Sequence, residues 1–326
     1  MEILTIFKTN KTVRIISIAV LILLILAILP VFSPDYTIVL LSSILLYIVL
    51  TVSWVLFSGP TGYISLAPAA FVGVGIYSAA ILGGKLPFPL VVLIAGLITI
   101  VLALFVGALT LRLKGIYFAI FTFGLLELIR HLVLFLELHL TGTRGRFVIS
   151  QDFTTVYFYM LLIFGLLLLV TFLINRSKYG MALRSIGQNE EAAAHIGINV
   201  TLVKVVTFVI SAFFMGCAGA VMATRWTYID PGIAFNMFFS FMPVMMALFG
   251  GMGQLYGPII GSAVFTYLEE FLITKIPELY MMLFGAIFII AILYMPDGLL
   301  GVIQKGWAAL TRKLRKDSLG GSHANS

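Results

Sequence analysis

The sequence predicts an all-α, polytopic membrane protein of about ten transmembrane helices with two Gly/Pro-broken segments. Three observations carry this. Of 326 residues, 61% are hydrophobic and only 10% charged, whereas a soluble domain carries about 25% charged residues. The mean hydropathy is +1.15, more apolar surface than a soluble fold could hide. The apolar residues also recur in runs of roughly 20, the length a helix needs to cross the bilayer core. In lipid every backbone polar group must be satisfied within the segment, so the runs are expected to be helices.

In chain order the predicted spans are 14–33, 37–57, 63–82, 87–110, 115–137, 154–174, 202–224, 234–250, 256–273 and 278–295. The first follows Lys8, Lys11 and Arg14, as in a signal peptide. Its apolar run is long, and Leu29-Pro30-Val31-Phe32 follows instead of a small-residue cleavage site, so it reads as an uncleaved span. No linker-like stretch divides the chain, and residues 1–300 are expected to form one bundle. The single cysteine, Cys217, lies within an apolar run and reads as a small packed hydrophobe.

An even number of spans places both termini on one side. On that side fall Lys8, Lys11 and Arg14, then Arg112 and Lys114, then Arg176, Lys178, Arg184 and Lys204, and finally Lys305, Arg312, Lys313, Arg315 and Lys316. The other side has Lys85, Arg144, Arg146, Arg225 and Lys275. The excess puts both termini and the polar loop 175–204 in the cytoplasm. Residues 301–326 read as a tail; an apolar face from Leu299 (Leu299, Leu300, Val302, Ile303, Trp307, Leu310) leads into a basic patch that suits either a helix on the membrane surface or a simple juxtamembrane stop.

Two segments contain chain-breaking residues. One runs from Phe57 to Pro68 and includes Gly59, Pro60 and Gly62. The other runs from Asn236 through Pro243 to Gly250, Gly251, Gly253 and Pro258. A helix from Phe235 to Phe249 would be about 22 Å long, shorter than the roughly 30 Å hydrocarbon core. Irregular backbone at membrane depth persists only inside protein or beside water, and paired breaks in two halves point to a translocation path. Gly59, Thr61, Gly62, Ser65, Asn236, Ser240, Gly250, Gly251 and Gly253 are therefore candidate path residues. The competing reading makes both segments tight turns between neighbouring helices. Glu127 and Arg130, three apart within the fifth span, can pair; they join the candidates as a polar element of the path, the competing reading being a structural pair with Arg130 reaching toward the outer face. An unpaired charge there would cost about 2.5–3.5 kcal/mol. In the seventh span Ala212, Gly216 and Ala220 form a stripe for close helix packing.

Carboxylates within spans are few, which argues against proton or sodium coupling. No P-loop occurs, so the chain does not itself hydrolyse a nucleotide. The four histidines lack metal-ligand spacing, and no nucleophile–base pair is evident. Neither a cofactor nor a nucleic-acid partner is expected.

Loop 175–204 holds the sharpest local signal. Asn189 can cap a short helix with Glu190 and Glu191 in its first turn, and Gly197 can end it. Such a helix is too short to stand alone in water and must dock. Arg184, Glu190 and Glu191 flank the small residues Ala192 and Ala193, which offer a close-packing face.

Glu-Ala-Ala, then three residues, then Gly is similar to the cytoplasmic coupling loop of ABC importer permeases. Three further stretches resemble the branched-chain amino acid permease family, and its M-type rather than H-type subunit. They are Ser-Gly-Pro-Thr-Gly-Tyr-Ile-Ser-Leu-Ala from Ser58, Leu-Arg-Leu-Lys-Gly-Ile-Tyr-Phe-Ala-Ile from Leu111, and Phe-Gly-Gly-Met-Gly-Gln-Leu-Tyr-Gly-Pro from Phe249. Together they cover roughly residues 40–300. The resemblance implies a plasma-membrane (inner-membrane) subunit of an ATP-driven importer, itself not an enzyme. Its partners would be two ATP-binding cassette subunits, a homologous second permease, an extracytoplasmic substrate-binding protein and the lipid bilayer. It also implies that Arg184, Glu190, Glu191, Ala192, Ala193 and Gly197 meet the ATP-binding subunit. The chain departs from the family at Thr141-Gly142-Thr143-Arg144-Gly145-Arg146, where members commonly show neutral glycines. Urea and amide permeases share much of the pattern. An ion-coupled secondary transporter and a membrane scaffold are the alternatives of other classes.

Overall fold

The computed structural model describes residues 2–294 except 112, 114 and 254, together with 298, 299 and 301. Nearly all of it is helix. The elements are α1 (Glu2–Phe32), α2 (Asp35–Thr61), α3 (Pro68–Leu82), α4 (Phe88–Thr110), α5 (Ile116–Thr141), β1 (Arg146–Phe147), α6 (Phe153–Arg176), α7 (Lys178–Gln188), α8 (Glu190–His195), α9 (Val200–Ala223), β2 (Tyr228–Ile229), α10 (Pro231–Ala234), α11 (Phe238–Gly250), α12 (Tyr256–Lys275) and α13 (Tyr280–Tyr294). Each predicted span overlaps a helix. Among the described residues six segments are long and apolar enough to cross a membrane: α2, α4, α5, α6, α9 and the stretch Pro231–Gly250. Leucine, isoleucine and phenylalanine cover much of the outer surface, as a multi-pass membrane protein requires. The basic tail predicted for 301–326 lies, apart from residue 301, outside the described residues.

Helix α9 is the most buried of the six and sits between α3 and α4. Its small-residue stripe makes this closeness possible. Ala212 and Ala220 are fully buried, Gly216 faces Thr99 of α4, and Gly75 of α3 meets the Gly216 carbonyl. Cys217 packs in the same seam, its thiol donating to the Val92 carbonyl at 3.5 Å. A second cluster of Met242, Met246, Phe265, Leu272 and Phe284 joins α11, α12 and α13.

The Gly/Pro segments separate helices instead of interrupting them. Pro60 falls in the last turn of α2, Gly62 closes that helix at φ 73° with its N–H bonded to the Ser58 carbonyl, and Pro68 opens α3. Proline at a first helical position loses nothing, since that N–H has no intrahelical partner. Pro243 lies within an uninterrupted α11. The lost bond and ring clash cost roughly 3 kcal/mol, which burial of Met242, Met246 and Ala247 offsets. The irregular turns in this region are Phe235–Met237, between α10 and α11, and the one that starts at Gly251, between α11 and α12.

Candidate functional site

Loop 175–204 folds as two helices. Ser177 caps α7, its hydroxyl accepting the Gly180 N–H at 3.3 Å. Gly180, Leu183 and Ile186 give α7 one buried face, set against α2, α6 and α9. The Tyr179 hydroxyl donates to the carbonyls of Leu202 and Val203 at 3.4 and 3.3 Å, and burial raises its pKa.

Asn189 caps α8 as predicted, its side-chain oxygen accepting the N–H groups of Glu191 and Ala192, both at 3.0 Å. Gly197 ends it at φ 88°. Its N–H bonds to the Ala194 carbonyl and that of Ile198 to Ala193, the two bonds of a Schellman motif. The six-residue helix is held by Ala193, which is 1% exposed against Leu183, Ile186 and Val203. The predicted packing face is therefore divided. Ala193 is spent internally, while Arg184, Glu191, Ala192, Ala194 and His195 face outward with Ile196, an apolar residue 73% exposed.

Glu190 also turns inward. One carboxylate oxygen lies 2.8 Å from Lys204 Nζ, and the other accepts the Tyr63 hydroxyl at 2.7 Å. Lys204, 2% exposed, also donates to the Tyr63 hydroxyl oxygen and the Leu111 carbonyl, both at 3.2 Å. Its ammonium sits 4.5 Å from the centre of the Tyr63 ring. The Tyr63 hydroxyl is thus a donor to Glu190 and an acceptor from Lys204. As a sequence feature Lys204 was only one more loop cation; its partners lie 14, 93 and 141 residues away.

Tyr63 belongs to the connector 62–67, the segment singled out for its glycines and prolines. The Ser65 carbonyl accepts the Trp54 indole N–H at 2.8 Å. The Leu66 N–H donates to Thr122 of α5 at 3.0 Å, and its carbonyl accepts from Ser240 of α11 at 2.8 Å. Thr61, Ser65 and Ser240 are buried and bond to main chain. Gly59 and Pro60 line a cleft of about 650 Å³ together with Asn175, Gly180, Arg184, Met252 and Gly253. Both Gly/Pro segments thus line one cleft with α7. Gly250 and Gly257 press backbone to backbone between α11 and α12, and Gly251 takes φ 93° at the start of the turn.

The family described as "Branched-chain amino acid transport system / permease component" matches residues 36–292, from the start of α2 to the last turn of α13. The chain belongs to this family. The LivM permease proteins of Salmonella typhimurium and Escherichia coli, named as parts of a high-affinity branched-chain amino acid transport system, are each 27% identical over 290 residues. They align with 78% of this chain and 68% of theirs. The LivH permease protein of Escherichia coli is 30% identical over 139 residues, 41% of this chain and 44% of its own.

In this branched-chain amino acid permease the remaining polar candidates lie away from the loop. Arg130 and His131 approach Glu127 at 3.4 and 3.8 Å on α5, the least buried of the six spans. Arg130, Arg144 and Asp230 surround Gly232 of α10. Asn236 is exposed, its oxygen accepting the Phe238 N–H at 3.0 Å. The two cations of the unusual loop are both paired. Arg144 bonds Asp230 at 3.0 Å, and Arg146 lies 3.2 Å from Glu137. Glu137, 4% exposed, also accepts from Tyr77 and the Gly145 N–H. Strands β1 and β2 pair antiparallel beside these contacts. They were invisible in the sequence because each is two residues long and its partner lies beyond α9.

Proposed function

We infer that this chain is one membrane subunit of an ATP-driven importer for branched-chain or related amino acids. It pairs with a homologous permease and two ATP-binding subunits, and receives solute from an extracytoplasmic binding protein. The observation that carries the reading is α8: a doubly capped, six-residue helix, docked through Ala193, with Glu191, Ala192 and the apolar Ile196 turned outward. An exposed isoleucine beside small residues at the tip of a loop is what a soluble partner's groove would cover. ATP binding would draw the partner subunits together, displace α8 and shift the bundle between outward- and inward-facing states.

The topology assigned to this reading is ten spans in the plasma membrane, with both termini and the α7–α8 loop cytoplasmic. Residues 1–300 form the permease domain and 301–326 a cytoplasmic tail. Glu127, Arg130 and Asn236 line the solute path. Thr61, Ser65 and Ser240 support it from behind, because their hydroxyls are bound to main chain. The glycines at 59, 62, 250, 251 and 253 shape its inner end.

The test is reconstitution with the partner subunits and leucine. Glu191→Lys combined with Gly197→Pro should abolish ATP-dependent uptake and the stimulation of hydrolysis. Unchanged uptake would overturn the coupling role. Leucine uptake by the chain alone in liposomes, driven by an ion gradient, would favour a secondary transporter.

A further inference from the structure

We propose that Lys204, Glu190 and Tyr63 form the joint that passes movement of α8 to the membrane helices, with Glu190 acting inside the permease and not at the partner's surface. The proposal rests on the coupling reading of α8 and adds the route by which its displacement travels.

The three side chains close a ring. Each Glu190 oxygen has a partner, Lys204 on one side and Tyr63 on the other, and Lys204 also donates to the Tyr63 hydroxyl oxygen. The third ammonium proton is taken by the Leu111 carbonyl, so every Lys204 donor is used. Lys204 is 2% exposed, so the loss of its partner is costly, and the ring ties together the four elements it touches. Those elements are the first turn of α8, the first turns of α9, the end of α4 and the connector 62–67.

The connector carries the movement further. Gly187 of α7 sits against the Pro60 carbonyl, and Glu190 holds Tyr63. The loop thus grips the chain on both sides of Gly62, whose φ of 73° makes it the natural pivot. Three residues beyond Tyr63, Leu66 is held on its N–H by Thr122 of α5 and on its carbonyl by Ser240 of α11. A shift of α8 therefore reaches α5, which carries Glu127 and Arg130, through one ring and three connector residues.

The test compares Glu190→Gln, Lys204→Met, Tyr63→Phe and the exchange Glu190→Lys/Lys204→Glu in the full reconstituted transporter. Leucine transported per ATP hydrolysed is the readout, since a purely structural role would lower both rates together. The ratio should fall roughly tenfold in Glu190→Gln and Lys204→Met, within the usual range of coupling between sites, and recover in part in the exchange. Should those two fail to assemble, Tyr63→Phe decides, because it keeps the ion pair and the ring face. A parental ratio in Tyr63→Phe, or in assembled Glu190→Gln and Lys204→Met, overturns the joint. The surface variant Glu191→Lys separates this from the parent reading. If it leaves partner binding and hydrolysis intact, the docking role of α8 fails; if it uncouples while the ring variants do not, only the joint fails.

Discussion

The Cα of Gly187 lies against the carbonyl oxygen of Pro60, so close that a β-carbon at 187 would overlap it. The contact joins the last turn of α7 to the last turn of α2. Gly187→Ala should push α7 away and cost about 1–3 kcal/mol, as overpacking does. A lower melting temperature in detergent, with α7 more open to protease, is the expected outcome; unchanged melting would mean that the two backbones part freely.

The caps of α8 can be removed one at a time. Asn189→Ala should cost about 1 kcal/mol, and Gly197→Ala about 1–2 kcal/mol, because alanine is strained at φ 88°. Amide exchange across 191–198 should quicken roughly tenfold in either variant, since about 1.4 kcal/mol is one decade. Exchange in the α9 core should stay as it was.

The pairing of Arg146 with Glu137 predicts a marked asymmetry. Arg146→Met removes the cation beside a carboxylate that is 4% exposed and should cost about 3–5 kcal/mol. Adding Glu137→Gln should return most of that, because the amide can still accept from Tyr77 and the Gly145 N–H. Thermal unfolding of the two single variants and the double variant measures the difference.

Gly216→Val should fail to give folded protein, because its side chain would enter space held by Thr99 at the α4–α9 contact. Fluorescence-detected size exclusion of a tagged chain would show aggregate in place of a single peak. The companion Ala220→Gly, which removes bulk from the same seam, should retain the peak.

Much of this was legible beforehand, and the pattern of what was missed is physical. Apolar runs located every long helix, because lipid imposes one criterion on all of them. The α8 caps were readable because Asn189 and Gly197 act within a few residues. Helix α7 was missed although Tyr179, Leu183 and Ile186 recur at helical spacing; a search for apolar runs passes over an amphipathic helix of near-neutral mean hydropathy. The Gly/Pro segments were visible, but whether they split helices or join them depends on neighbours. Pro60 and Pro68 are a stop and a start, a distinction that rests on one residue, Gly62. Glu190 looked like a surface acid because its partners Tyr63 and Lys204 are distant in sequence or sit in a different element.

Strands β1 and β2 have a consequence for biogenesis. They flank α6 to α9, so Arg146 can lie opposite Ile229 only after everything between them has been made and threaded. The two strands also meet only if α6 and α9 traverse the bilayer in opposite senses and return the chain to the side it left. A chain that left α9 uninserted, or reversed it, could not fasten this clasp. The short ribbon is therefore closed only in a chain whose α6 and α9 are both in place.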